Sequence, residues 1–146
     1  MRRLYLLDNS VTQRVHRSAV VATAVTNLLE WGELASCLPQ VLEEGYSARD
    51  VTSHRVILNA NQQGKVFLAP DADVARLALD LQARLFAAAK GRSVGISDLQ
   101  IAATAMRYSA GDQTVIVVHY DHDFDHLADV APDLHTQWIV QAGSVD

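Results

Sequence analysis

Leu4-Tyr5-Leu6-Leu7-Asp8-Asn9-Ser10 is the stretch from which the rest of the chain is read. Four consecutive bulky apolar residues this close to the N-terminus predict a strand buried on both faces, as in a parallel sheet covered by helices on each side. A carboxylate stands where the run stops, followed by two residues suited to turns and helix N-caps. In open α/β sheets, ligands bind in the crevice outside the carboxyl ends of the strands. Asp8 is therefore the first candidate for a functional site, and the next question is what else the chain returns to that edge.

Working outward, Val11 to Leu29 reads as helix with a break near His16-Arg17-Ser18, and Gly32 is a candidate left-handed residue closing it. Leu34 to Leu38 is a short strand, and Pro39 suits the first turn of the helix that carries Glu43 and Glu44. A helix from about Val51 to Gln62 is ended by Gly64, and Val66-Phe67-Leu68 is a third strand or extended connection. Asp71 or Asp73 caps a long helix with Val74, Leu77, Leu81, Leu85 and Phe86 as its apolar stripe. Gly91-Arg92-Ser93-Val94-Gly95 is a loop, and Ser97 is placed to cap the alanine-rich helix that begins at Asp98. Thr114 to His119 is the most strand-like run of all and leads directly into Tyr120-Asp121-His122-Asp123-Phe124-Asp125. A short helix through Leu127 and a last strand from Thr136 to Val140 follow. Strands alternating with helices predict one α/β domain over residues 1–140, with a central parallel sheet of four or five strands between helical layers, and a frayed tail over 141–146.

Composition narrows the function classes. The 146 residues fit one domain, and 49% are apolar, enough for a core without staples. A formal net charge of −5 argues against a protein that coats nucleic acid with its whole surface, while leaving room for a local basic patch. Cys37 is the only cysteine, so no internal disulfide forms, and a reducing compartment, the cytoplasm, is expected. Met1-Arg2-Arg3 imitates the start of a signal peptide, but the apolar run behind it is too short for one, and no window is apolar enough to span a membrane.

Asp8 and Asp121 each follow a buried strand, so one parallel sheet brings them to the same edge. Asp98 sits in the first turn of a helix, where the helix dipole favours its ionised form. Glu43 or Glu44 lies early in the helix after the second strand and points to the same side. Carboxylates crowded in one cleft repel and raise one another's pKa, a difficulty that a hard divalent cation removes. All-oxygen ligands suit Mg²⁺ or Mn²⁺ rather than Zn²⁺. Such a site can activate water for in-line displacement at phosphorus, so phosphodiester hydrolysis is the predicted chemistry. Taken singly, each acid reads as a cap, a turn residue or a solvated helix charge; their convergence on one edge is the argument.

Four segments carry a family resemblance: Leu6-Leu7-Asp8-Asn9-Ser10, Leu42 to Arg49, Gly95 to Ala103, and His119 to Asp125. Together, in this order and spread along nearly the whole chain, they resemble the PIN-domain ribonuclease toxins of bacterial type II toxin–antitoxin systems, in particular the VapC group and its actinobacterial members. The resemblance implies a PIN-like α/β/α sandwich, Mg²⁺-dependent cleavage of structured RNA such as tRNA or an rRNA loop, a homodimer, and a cognate antitoxin that inserts a peptide into the groove. It implies Asp8, Asp98 and Asp121 as metal ligands, Glu43 as the helix glutamate, Asp123 as the neighbouring acid, and Ser10 as support for Asp8. Gln100, where the family often has an apolar residue, and the low basic content are departures.

For RNA contact the candidates are Arg14, Arg17, Arg49 and Arg92, because arginine grips phosphate bidentately. His122 and His126 have the i,i+4 spacing of a zinc pair, but His119, His122 and His126 read better as a strand-end histidine and two surface ones. Cys37, Trp31 and Trp138 read as packing residues. Among rival classes, a haloacid-dehalogenase-type phosphatase wants a second Asp where Ser10 stands. A receiver domain wants a paired acid near the first strand and a late strand-end lysine. A non-catalytic RNA- or protein-binding module with a structural metal is the remaining alternative.

Overall fold

The computed structural model describes residues 1–146. Five strands form one all-parallel sheet: β1 (Arg2–Leu7), β2 (Glu33–Cys37), β3 (Val66–Leu68), β4 (Gln113–His119) and β5 (His135–Trp138). Their order across the sheet is β3-β2-β1-β4-β5. The helices are α1 (Asn9–Val15), α2 (Ala19–Leu28), α3 (Leu38–Tyr46), α4 (Val51–Gln62), α5 (Ala72–Ala87), α6 (Ile96–Tyr108) and α7 (Asp123–Val130). None is long and apolar enough to cross a membrane.

β1 is the central strand, and its four buried residues divide between the two faces as strand alternation requires. Leu4 and Leu6 join Ala35, Cys37, Val115 and Val117 in the larger core, which also takes in buried residues of α5, α6 and α7. Tyr5 and Leu7 join Val118, Val11 of α1 and Val21 and Leu28 of α2 in the smaller one. From β1 the chain moves outward to β2 and β3, whereas β4 and β5 lie on the opposite side. The carboxyl ends of β1 and β4 therefore flank the point where the winding changes direction, the place where an open α/β sheet leaves a crevice.

Local chemistry explains most boundaries. The expected break in the first helical stretch is real: Ser18 Oγ accepts from the Val21 N–H at 3.2 Å and starts α2 anew. Pro39 lies in the first turn of α3, Asp71 caps α5 through the Val74 N–H, and Gly64, at φ +79°, lies just beyond the end of α4.

Several expectations differ from the structure. Gly32 is not left-handed; it is required because a Cβ there would lie 2.5 Å from the Arg3 carbonyl oxygen. Gly95, not Ser97, is the N-cap of α6, which places Ser97 inside the first turn. Phe86 is exposed, its ring lying against Gly91, because it is one residue, about 100°, round the helix from Leu85. Trp31 is exposed, not packed. The tail is tied down: Tyr120 Oη donates to the Val145 carbonyl (2.8 Å) and accepts from the Val145 N–H (3.1 Å), while Arg14 Nε donates to the Asp146 main-chain oxygen (2.8 Å).

The contact at Gly32 gives a direct test. Gly32→Ala forces β1 and the α2–β2 turn apart and is expected to destabilise the protein by about 1–3 kcal/mol. Thermal denaturation checks this, and an unchanged Tm contradicts the close approach.

Candidate metal centre

Asp8 leaves β1 and becomes the N-cap of α1 in one step. Its main-chain N–H donates to the Val118 carbonyl at 2.9 Å, holding it to the end of β4, and its Oδ2 accepts from the Ser10 N–H at 3.0 Å. The residue is 3% exposed, and its second oxygen, Oδ1, is buried without any hydrogen-bond partner. Ser10 links the two strand ends, since its Oγ accepts from the Tyr120 N–H at 2.9 Å.

Asp98, Asp121 and Asp123 arrive from three further elements. Asp98 is in the first turn of α6 and buried. Asp121 follows β4; its N–H donates to His119 Nδ1 (3.3 Å), and its Oδ1 accepts from the Asp123 N–H (2.9 Å). Asp123 opens α7, and its Oδ2 accepts from the Gly95 N–H at 3.3 Å, fastening the start of α7 to the loop before α6. Oxygens of Asp98, Asp121 and Asp123 lie within 4.8 Å of one another. Asp8, Glu43, Asp98 and Asp121 line one cavity of about 400 Å³, whose rim includes Asn9 and Gln13. Asp98 and Asp121 belong to both groups, so the five acids form one continuous arc.

Glu43 and Glu44 have different surroundings. Glu43 lines the acidic cavity. Glu44 faces the other way and accepts from Gln40 Nε2 and from Asn61 Nδ2 (3.0 Å), with Gln40 and Asn61 both buried. Gln40 Nε2 also donates to Asn61 Oδ1 at 3.0 Å, so this network clamps α3 to α4 and fixes the rotation of α3.

Electrostatics follow from the crowding. Burial pushes the Asp8 carboxyl up, assisted by the charges of Glu43 and Asp121 and opposed by the hydrogen bonds from Ser10. Asp98 is pushed up to about 9, first by burial, then by the charge of Asp8, a hydrogen bond with Asp123, and the charges of Asp121 and Asp123. The favourable helix dipole at the start of α6 does not outweigh them. A cluster of buried carboxylates with an unpartnered oxygen and no cationic side chain lining the cavity fits a hard divalent cation; the donor set is oxygen only.

The arginines considered for RNA contact do not line this cavity. Arg14 is part of the scaffold behind it: Nη1 donates to the Ser10 carbonyl at 2.6 Å, and the guanidinium lies 4.6 Å from the centroid of the Tyr120 ring. Arg17, Arg49 and Arg92 are exposed. His119 is fully buried between Phe124 and Trp138, with Nε2 unpartnered and its pKa lowered to about 4 by burial. His122 is exposed and pairs with Asp125 at 3.2 Å, so the histidines build no shared site. Sequence reasoning missed Asn9 and Gln13 at the rim and the Gln40–Glu44–Asn61 clamp. The spacing of Gln13 from Asn9, one helical turn, is the only local signal for the former pair.

No protein-family model matches the chain. Among characterised proteins it is similar to Ribonuclease VapC51 of Mycobacterium tuberculosis, 40% identical over 142 residues that cover 97% of both chains. It is also similar to Ribonuclease VapC21 of the same organism, 34% identical over 140 residues and 96% of both chains. Among solved structures the fold is similar to VapBC-1 of nontypeable Haemophilus influenzae, with a TM-score of 0.71 and 19% identity over 94% of this chain and 99% of that one. VapBC2 of Rickettsia felis, bound to a promoter DNA fragment, gives a TM-score of 0.70 at 16% identity over 92% of this chain and 97% of that one.

The raised Asp98 carboxyl has a consequence for the metal-free protein. Its folded pKa lies above the ordinary value, so the folded state holds a proton that the unfolded state has released. Its contribution is complete below about pH 4 and is lost as pH rises toward 9. His119 has the opposite sign and acts only between about pH 4 and 6.5. In EDTA the Tm is therefore expected to fall between pH 6.5 and 8.5, and Asp98→Asn to flatten that slope. Equal slopes for the two proteins contradict the crowding.

Proposed function

This chain belongs to the VapC ribonuclease family, and we propose that it is the toxin of a toxin–antitoxin pair, an endoribonuclease that hydrolyses RNA phosphodiesters with a divalent cation at the acidic cavity. The observation that carries the reading is the buried, unpartnered Oδ1 of Asp8 among three further acids in a cavity with no cationic lining. Asp8, Asp98 and Asp121 would hold the cation, with Mg²⁺ the proposed ion and Mn²⁺ its substitute. When bound, such an ion supplies a Lewis acid for the phosphoryl oxygen and a more acidic water.

The chain's own residues divide the remaining work. Ser10 keeps Asp8 oriented, because its N–H engages one carboxylate oxygen and leaves the other free. Asp123 holds the Asp121 turn and the Gly95 loop in register. Glu43, on the wall formed by α3, would accept the proton of the water that attacks phosphorus, while the ribose oxygen departs with the other side of the cleaved bond. The RNA proposed is a structured one, tRNA or rRNA, encountered in the cytoplasm.

Solved structures of similar fold include a toxin–antitoxin complex from Klebsiella pneumoniae. For this chain the corresponding partner is a cognate antitoxin. The acidic cavity suits a basic antitoxin side chain, which would neutralise the carboxylates and block the cation at once. A homodimer is the proposed assembly.

EDTA and Asp8→Asn are each expected to abolish cleavage of RNA by the protein freed of its antitoxin. Cleavage at wild-type rate in either condition refutes the metal reading. A separate comparison divides the adjacent glutamates. Glu43→Gln is expected to lower kcat by about a hundredfold or more with an unchanged Tm. Glu44→Gln, which disturbs the Gln40–Asn61 clamp, is expected to keep kcat within a few-fold and to cost about 1–3 kcal/mol of stability. The reverse ranking, measured at matched metal concentration, would move the site to Glu44.

A further inference from the structure

α3 is built inside out. Its polar residues Gln40 and Glu44 face inward to Asn61, whereas Leu38, Leu42 and Tyr46, each four residues from the next, form an exposed apolar stripe. Tyr46 is 94% exposed. A large aromatic standing clear of the chain, on a helix whose polar side is buried, indicates a surface that acts on something outside the chain. This stripe, with Pro39 and Gln100, lines a second depression of about 410 Å³. Glu43 and Ser97 belong to the walls of both cavities, so the two adjoin.

Resting on the RNA-cleaving reading above, we propose that this depression receives the nucleobase next to the scissile phosphate, stacked on Tyr46 and read at its edge by Gln100. With the reacting phosphate at the acidic cavity, the adjoining nucleotide is the part of the substrate that reaches a pocket sharing two of its walls. Neither cavity is lined by Lys or Arg, and the chain carries a net charge of −5, so phosphate pairing does not hold the RNA at this place. Stacking on an aromatic side chain does so without requiring cations. The Gln100 amide offers both a donor and an acceptor, the equipment for distinguishing base edges. A base enters such a pocket only when unstacked from its neighbours, which selects an unpaired loop over the interior of a duplex.

The test uses the full chain with Mg²⁺ or Mn²⁺, total RNA for mapping cut sites by 5′-end sequencing, and a synthetic hairpin carrying a mapped site for kinetics. Tyr46→Ala is expected to raise KM roughly tenfold or more while kcat stays within a few-fold. Tyr46→Phe, which keeps the ring, should restore most of the loss. Gln100→Ala should broaden the base preference at the one position beside the cut. An unchanged KM and an unchanged preference overturn the subsite while leaving the ribonuclease reading intact. Conversion of a dimer to a monomer by Tyr46→Ala, seen by light scattering, also overturns it and assigns the stripe to contact between copies. If the wild-type protein cuts no RNA with either ion, the ribonuclease reading and the subsite fall together.

Discussion

Repulsion among buried carboxylates is the constraint on which this structure turns. Asp8, Asp98 and Asp121 come from a strand end, a helix start and a second strand end, and nothing cationic in the chain lines the cavity they share. Burial raises the Asp8 and Asp98 carboxyls, and the charges of the neighbouring acids raise them further, against the hydrogen bonds from Ser10 at Asp8. A fold stabilised for its own sake would have placed a lysine there or turned one acid to solvent. Instead the surroundings hold the acids in place. The Asp8 N–H is tied to Val118, Ser10 spans to Tyr120, and Asp123 braces both the Asp121 turn and the Gly95 loop. The Gln40–Glu44–Asn61 clamp sets α3 so that Glu43 completes the wall.

The sheet is what makes this crowding possible with so few residues. β1 runs parallel to β4 from Arg2 opposite Gln113 to Leu7 opposite Val118, so the residues that follow each strand emerge side by side. Because the chain winds outward in opposite directions from this pair, no crossover covers the gap between them. The tail closes the far side: Val145 and Asp146 are held by Tyr120 and Arg14, and Arg14 in turn grips the Ser10 carbonyl. A cation that reads as an RNA contact in the sequence is thereby part of the support for α1.

Much of this was legible from residue order. The Leu4–Leu7 run, the Val115–Val118 run and the break near His16-Arg17-Ser18 depend on local pattern, and the elements they predict lie where pattern places them. The convergence of Asp8 and Asp121 follows from parallel strands alone. What escaped was long-range. Gly32 is needed because Arg3 passes close by, not because of its own φ, and no property of neighbouring residues announces that. Arg14 is engaged by a tail more than a hundred residues away. Helical spacing left Glu43 and Glu44 undecided because their difference is made by Asn61, which α4 supplies. Trp31 reads as core by residue type and Phe86 by helical spacing, yet each lies where its helix has turned or ended.

The central claim is that the acidic arc is a divalent cation site. Anomalous scattering from crystals of this protein grown with Mn²⁺ and without antitoxin tests it most directly. A single strong peak among the carboxylates of Asp8, Asp98 and Asp121, absent in the Asp8→Asn protein, is the predicted result. Full-occupancy Mn²⁺ elsewhere with none in this cavity would contradict the account.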